Sequence, residues 1–136
     1  MGKIYLEVVT PESMVVSREV DSVVAPGTLG QFGILKNHIP FLTGIVTGEM
    51  RFMADGQEEC VSVASGFAEV SRNRMSVLVD SAELACDIDL ERARKALERA
   101  RARLEAKKGK EDVDYLRAEA ALKRALTRIR VAEKSI

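Results

Sequence analysis

The segment Glu49-Met50-Arg51-Phe52-Met53-Ala54-Asp55-Gly56-Gln57-Glu58-Glu59-Cys60-Val61-Ser62-Val63 holds two short runs, Glu49 to Met53 and Glu59 to Val63, around Ala54-Asp55-Gly56-Gln57. Asp-Gly supplies the positive backbone φ angles of a tight turn, so this segment predicts a β-hairpin. The same pattern extends in both directions. Downstream, Phe67 to Val70 and Met75 to Val79 flank Ser71-Arg72-Asn73-Arg74, a second hairpin. Upstream, Lys3 to Val9 puts Ile4, Leu6 and Val8 on one face and Tyr5, Glu7 and Val9 on the other, until Thr10-Pro11 stops it. That period of two is a half-buried strand. Met14 to Val16 and Val20 to Ala25 are β-branched runs, the latter closed by Pro26-Gly27. Many short strands with turns at close intervals predict a sandwich or flattened barrel rather than a βαβ fold.

The texture changes near Asp87. Residues 1–88 carry six basic and twelve acidic side chains, and residues 89–136 carry fifteen basic and nine acidic ones. A net charge of zero therefore hides −6 in the first part and +6 in the second. All four Phe and eight of the nine Gly lie in the first part. Such a break marks two units, 1–86 and 87–136, with different partners. In the second unit, Leu90, Ala93, Leu97, Ala100 and Leu104 recur at helical spacing, followed by Tyr115, Ala118, Leu122, Ala125, Ile129 and Ala132. Asp87 or Asp89 is placed to cap the first helix, and Lys107-Lys108-Gly109 to end it. Two apolar seams joined by a short Gly-containing turn predict an antiparallel helical hairpin. Alanine fills five seam positions. An alanine offers only a methyl group, and each further buried CH₂ is worth about 0.8 kcal/mol, so the seam is thin. With strong helix formers throughout, the helices should survive if the hairpin opens, which makes the second unit a bistable arm. A continuous helix over 89–133 would span about 65–70 Å.

The chain has 136 residues and a mass of 15.0 kDa, which excludes a large multidomain enzyme. No apolar run is long enough to span a membrane. The opening residues have neither a signal-peptide core nor a transit segment, so the product is expected to stay where it is made. Cys60 and Cys86 lie too far apart for a Cys-x-x-Cys site and are expected as two buried reduced thiols. The single histidine, His38, stands in the loop Lys36-Asn37-His38-Ile39-Pro40 without a nucleophile beside it and fits a structural or interface role. Glu58-Glu59 reads as a solvated edge. Gly27, Gly30 and Gly33 read as turn signals, since no helical pattern follows them as a phosphate loop requires. No metal site and no catalytic constellation is expected.

The basic arm has three readings: a solvated helix face, a dock for an acidic protein segment, or a nucleic-acid surface. Nucleic acid is disfavoured, because the other half is acidic and the arm has one aromatic, Tyr115, for stacking. Within the arm, Asp89 and Arg92 lie near the start of one helix and Arg124 and Arg128 toward the end of the other. In a closed hairpin these groups converge. Three guanidinium forks suit a polyphosphate, and Asp89 can accept from a base amino group. Ordinary interhelical ion pairing with Asp89 as a cap accounts for the same pattern.

Four passages resemble one family, the epsilon subunit of the bacterial and chloroplast F-type ATP synthase. They are Leu6-Glu7-Val8-Val9-Thr10-Pro11-Glu12, the loop Gly30-Gln31-Phe32-Gly33-Ile34-Leu35-Lys36-Asn37-His38-Ile39-Pro40, Gly66-Phe67-Ala68-Glu69-Val70 followed by Val77-Leu78-Val79, and Ile88-Asp89-Leu90-Glu91-Arg92-Ala93. Lys36 stands where the family has Pro, and Ala64-Ser65 where it often has Ser-Gly.

The resemblance implies a ten-stranded β-sandwich followed by two helices. It implies a non-catalytic central-stalk subunit of a proton-translocating ATP synthase, coupling the catalytic head to the c-ring during ATP synthesis driven by an ion gradient. The implied partners are the gamma subunit, the c-subunit ring at Gln31 and His38, and the catalytic beta subunit in an inhibited state. Unit 1–86 would serve rotor assembly, and 87–136 would be an arm that inhibits ATP hydrolysis, with Arg99, Arg101, Arg103 and Lys107 as its docking residues. No cofactor is required. ATP is implied as a regulatory ligand at Glu83, Ile88, Asp89, Arg92, Ala93, Arg124 and Arg128. The expected location is the cytoplasmic face of the bacterial inner membrane, with membrane association only through the complex. A free-standing adaptor with a basic helical arm is the alternative.

Overall fold

Both sequence-predicted hairpin turns form with two residues of positive φ. Asp55 and Gly56 stand at 53° and 78°, and Arg72 and Asn73 at 52° and 60°. Such turns match the right-handed twist of the strands they join. In the computed structural model, which describes residues 2–106 and 113–134, they sit within a ten-stranded sheet followed by two helices. The chain divides into two units, Met1–Leu84 and Ala85–Ile136.

The first unit contains β1 (Ile4–Val9), β2 (Met14–Val20), β3 (Ser22–Gly27), β4 (Gly30–Leu35), β5 (Phe41–Ile45), β6 (Gly48–Ala54), β7 (Gln57–Val63), β8 (Gly66–Ser71), β9 (Arg74–Val79) and β10 (Ala82–Leu84). The hydrogen-bonded order is β10-β7-β6-β3-β5-β8-β9-β1-β2, with β4 on β3. All pairs are antiparallel except β1 with β9. The alternation in β1 is real, and Ile4, Leu6 and Val8 are fully buried. They meet Val20, Val23, Ile34, Met50, Val61, Met75 and Val77 in one apolar core.

Several elements differ from the sequence reading. Ser17-Arg18-Glu19, too polar to count as strand, continues β2 because its backbone pairs with β1, Glu19 opposite Tyr5 and Ser17 opposite Glu7. The segment Gly30 to Pro40, expected as one loop, is a strand up to Leu35. Ile34 is the inward residue that anchors it, opposite Val23, and the glycines had masked the alternation. Among the three glycines expected at turns, Gly27 and Gly30 close the β3–β4 hairpin, with Gly30 at φ 117°, but Gly33 lies inside the strand opposite Val24. Cys60 is buried on β7 as expected, whereas Cys86 is exposed, since it falls in a short 3-10 turn, Ala85–Asp87, outside the sheet.

The second unit contains that turn, α1 (Leu90–Ala106) and α2 (Val113–Glu133). α1 has no Gly, Pro or β-branched residue, which suits a helix. Its start is fixed by Asp89, whose Oδ1 accepts the Arg92 N–H at 3.1 Å, so Asp89 rather than Asp87 is the cap. Lys95 pairs with Glu91 at 3.6 Å, one turn apart. α1 and α2 pack on each other, and the turn before α1 packs on α2. The proposed ending at Lys107-Lys108-Gly109 lies outside the described residues. Ala93, Ala100, Ala118, Ala125 and Ala132 are buried, while Leu97, Leu104, Leu122 and Ile129 are half-exposed. The small residues let the backbones approach and leave the larger side chains at the margins.

Asp55, at the tip of the β6–β7 hairpin, reaches Lys3 at 3.0 Å and Arg18 at 3.2 Å. The Lys3 hydrogen bond and charge, aided by Arg18, hold the Asp55 carboxyl below its ordinary 3.8, and the same hydrogen bond and charge raise Lys3 above 10.5. A lowered carboxylate stabilises the fold above its unfolded value and stops doing so as pH falls through the folded value. A raised ammonium stabilises below its unfolded value and stops as pH rises through the folded one. The pair therefore contributes fully between 3.8 and 10.5. Asp55→Asn keeps a residue tolerant of positive φ. It should lower the urea midpoint slightly at neutral pH, and the difference from the parent should vanish at strongly acid pH. A difference that persists in acid would assign the effect to the turn rather than to the charge.

Candidate functional site

Two groups of side chains stand out, one in each unit. In the first, the turn after β4 presents His38. Asn37 takes φ 59°, the His38 N–H donates to the Leu35 carbonyl at 3.2 Å, and Nδ1 lies 2.7 Å from the Ile39 carbonyl oxygen. The half-buried His38 ring meets Phe41 edge-on at 5.9 Å, and Phe41 meets Phe32 at 5.4 Å. Around it Leu35, Ile39, Phe41 and Leu42 are 63%, 74%, 37% and 66% exposed. Beside them runs a cleft lined by Pro40, Phe41, Leu42, Glu69, Val70 and Ser71. Apolar side chains this exposed on a neighbouring set of residues are what a protein interface offers. Gln31 is also exposed, but it stands in β4 opposite Pro26, at the far end of the strand from His38. The two therefore do not share one loop, and the stretch between them spans about 3.3 Å per strand residue.

The exposed quartet is what sequence reading missed. Its signal was there, in the run Ile39-Pro40-Phe41-Leu42, where four apolar residues in a row break the alternation of a one-sided strand. A second exposed pair, Phe67 and Leu78, lies directly opposite across β8 and β9 and borders a cleft with Val9, Thr10, Pro11 and Gly66. Gly66 is obligatory there: a Cβ would stand 2.0 Å from the Leu78 carbonyl oxygen.

In the second unit, α1 packs on α2, and the turn that precedes α1 also packs on α2. Asp89, Arg92 and Arg124 are exposed and Arg128 is half-buried. Ala93 and Ile88 are buried, so they shape the seam rather than offer polar groups. The Asp89 carboxylate is already engaged as the helix cap. Glu83 belongs to the first unit, half-buried on β10. Arg99, Arg101 and Arg103 are all exposed on α1, but at about 100° per residue Arg99 and Arg103 share a face and Arg101 projects from the opposite one. Lys107 lies outside the described residues. Among the described residues there is no cluster of three or more metal-ligating side chains, and no helix is long and apolar enough to cross a membrane.

Comparison with known proteins decides the family. Residues 3–85 match the model of the ATP synthase delta/epsilon chain β-sandwich domain, and residues 87–133 match that of the long α-helix domain of the same chain. The chain belongs to the ATP synthase delta/epsilon chain family. It is 52% identical over 128 residues to the ATP synthase epsilon chain of Nitratidesulfovibrio vulgaris, covering 94% of each chain. It is 47% identical over 133 residues to that of Syntrophobacter fumaroxidans, covering 98% of each. Among solved structures, a chain of the Euglena gracilis mitochondrial ATP synthase OSCP/F1/c-ring assembly shares its fold with a TM-score of 0.78 at 21% identity, over 93% of this chain and 79% of that one. A chain of the Tetrahymena thermophila mitochondrial ATP synthase central stalk and c-ring shares it with a TM-score of 0.56 at 15% identity, over 98% and 96%. The resemblance read from the sequence and the β-sandwich-plus-helices fold both stand. As an epsilon-type chain, the protein is part of a larger ATP synthase and not an enzyme by itself.

The cap bond yields a test. Asp89→Ala should cost about 0.5–2 kcal/mol of second-unit stability and fray the start of α1, and Asp89→Asn should restore most of it. Thermal unfolding followed at 222 nm reads both. An Ala variant as stable as the parent would remove Asp89 from the cap.

Proposed function

We propose that this chain is the central-stalk epsilon subunit of a bacterial ATP synthase. Unit 1–86 docks on the gamma subunit and the c-ring, and unit 87–136 is an arm that restrains ATP hydrolysis and is released by ATP. The observation that carries the docking half is the exposed apolar group Leu35, Ile39, Phe41 and Leu42 around His38. Gln31 adds a polar contact at the other end of β4, and Phe67 with Leu78 offers a second apolar face for gamma. On this reading the chain lies at the cytoplasmic face of the membrane, is held there through the complex, and needs no cofactor for coupling ion flow to ATP synthesis.

The arm works as a switch because its seam is thin. Buried alanines leave closed and opened helices close in free energy, so a ligand that binds one state decides between them. At one hundred times its dissociation constant, ATP adds about 2.7 kcal/mol to the state that holds it. The phosphates fit the guanidinium groups of Arg92, Arg124 and Arg128, with Asp89 toward the base, while Ile88 and Ala93 pack beneath. The resemblance also implies Glu83, which stands on β10 of the first unit. When opened, the arm presents its arginines to an acidic segment of the catalytic beta subunit.

Calorimetric titration of the full chain with ATP tests the sensor. Arg92→Ala and Arg128→Ala should each weaken binding about ten- to hundredfold, since charge-assisted hydrogen bonds contribute roughly 1.5–3 kcal/mol. Parent-like affinity in both would reject this site, and no heat at millimolar ATP would reject the sensor.

The brake has its own test in the assembled enzyme. Arg99→Ala with Arg103→Ala should raise ATP hydrolysis toward the level of an enzyme lacking the arm, most clearly at low ionic strength, where exposed charges are least screened. Arg101→Ala, on the opposite face, should do less. If the paired substitution leaves a fully inhibited enzyme, the brake does not act through these charges.

A further inference from the structure

Asn73 joins three segments that are far apart in the chain. Its side-chain Oδ1 accepts the Asn37 N–H at 2.9 Å, its Nδ2 donates to the Lys3 carbonyl at 2.8 Å, and its own carbonyl accepts the Tyr5 N–H at 3.2 Å. The tip of the β8–β9 hairpin, the entry to β1 and the turn after β4 thus meet on one residue. The task suits asparagine. Its short amide offers a donor and an acceptor pointing apart, and it tolerates the φ of 60° that this turn position requires.

Asn37 immediately precedes His38, and the other hydrogen bonds of this turn among the described residues are local. The His38 N–H donates back to the Leu35 carbonyl, and Nδ1 lies against the Ile39 carbonyl oxygen. The ends of the turn are held by strand pairing, Leu35 opposite Ser22 and Phe41 opposite Val70. Between them, the Asn73–Asn37 bond spans 36 residues and ties the turn itself to the sandwich. We propose that Asn73 is a positioning residue: by holding the Asn37 peptide against the start of β1, it sets the pose in which His38, Ile39, Phe41 and Leu42 are offered to the partner. This rests on the docking role proposed above for the same group. Asn73 itself need not touch the partner.

Two substitutions separate positioning from folding. Asn73→Gly keeps the positive φ and removes both side-chain bonds. Asn73→Asp keeps the acceptor for Asn37 and removes the donor to Lys3. Amide hydrogen exchange on the full chain should show the Asn37 N–H exchanging about tenfold faster in the Gly variant and near the parent rate in the Asp variant, with the β6–β7 amides unchanged in both. Membranes carrying the remaining ATP synthase subunits should then retain several-fold less of the Gly variant after washing, and parent-like amounts of the Asp variant. Parent-like Asn37 exchange in the Gly variant overturns the proposal. So does fast exchange with full retention, when His38→Ala and Ile39→Ala lose retention in the same assay. Full retention of His38→Ala and Ile39→Ala refutes the docking role instead, a failure that the exchange measurement keeps distinct from a failure of Asn73 to hold the turn.

Discussion

The sandwich depends on where β1 lies. It is the middle member of three strands, antiparallel to β2 and parallel to β9, with Tyr5 opposite both Glu19 and Arg74. A hairpin cannot make a parallel pair, so this contact forms only when the chain returns some seventy residues later. The inner face of β1 then contributes three of the most deeply buried side chains, Ile4, Leu6 and Val8. Its outer face is clasped by polar groups. Arg74 lies over the Tyr5 ring at 4.7 Å and pairs with Glu7, and Tyr5 shares a hydrogen bond with Ser17. Lys3 and Tyr5 carry this clasp to the tips of two hairpins, through Asp55 and Asn73. Loss of β1 would remove the core and the fastening of the surface turns together.

The two units are stabilised in different ways. The first buries branched and long apolar side chains from nearly every strand. The second buries mostly alanines, with Ile88 and Val131, and one hydroxyl, Thr127, which donates to the Lys123 carbonyl at 2.9 Å one turn back in α2. A helix that satisfies its own backbone bonds and its own polar side chain needs little from a neighbour. The proposed division into a docking unit and a switching arm rests on that physical difference.

Much of this was legible in the sequence. The Asp55-Gly56 and Arg72-Asn73 turns, the alternation of β1 and the alanine seam are local signals, and each came through intact. β4 was not legible, because Gly30 and Gly33 interrupt its alternation and only Ile34 is fully inward. Nor was the polar half of β2, whose strand conformation comes from its partner rather than from its own residues. The candidate site divides the same way. Asp89 could be read as a cap from its type and spacing, and the absence of catalytic company left His38 a structural or interface residue. The separation of Gln31 from His38, the opposed directions of Arg99 and Arg101, and the bond from Asn73 to Asn37 require knowing which segments are strand or helix and which turns meet in space.

The distribution of the two thiols has a practical side. Cys60 is sealed in β7, while Cys86 is exposed in the short turn that joins the sheet to the first helix, with its sulfur 3.7 Å from an Asp87 carboxylate oxygen. The natural chain thus carries one reachable attachment point for a fluorophore or spin label, at the junction between its two units. A spectroscopic reporter could be placed there without first removing or adding a cysteine.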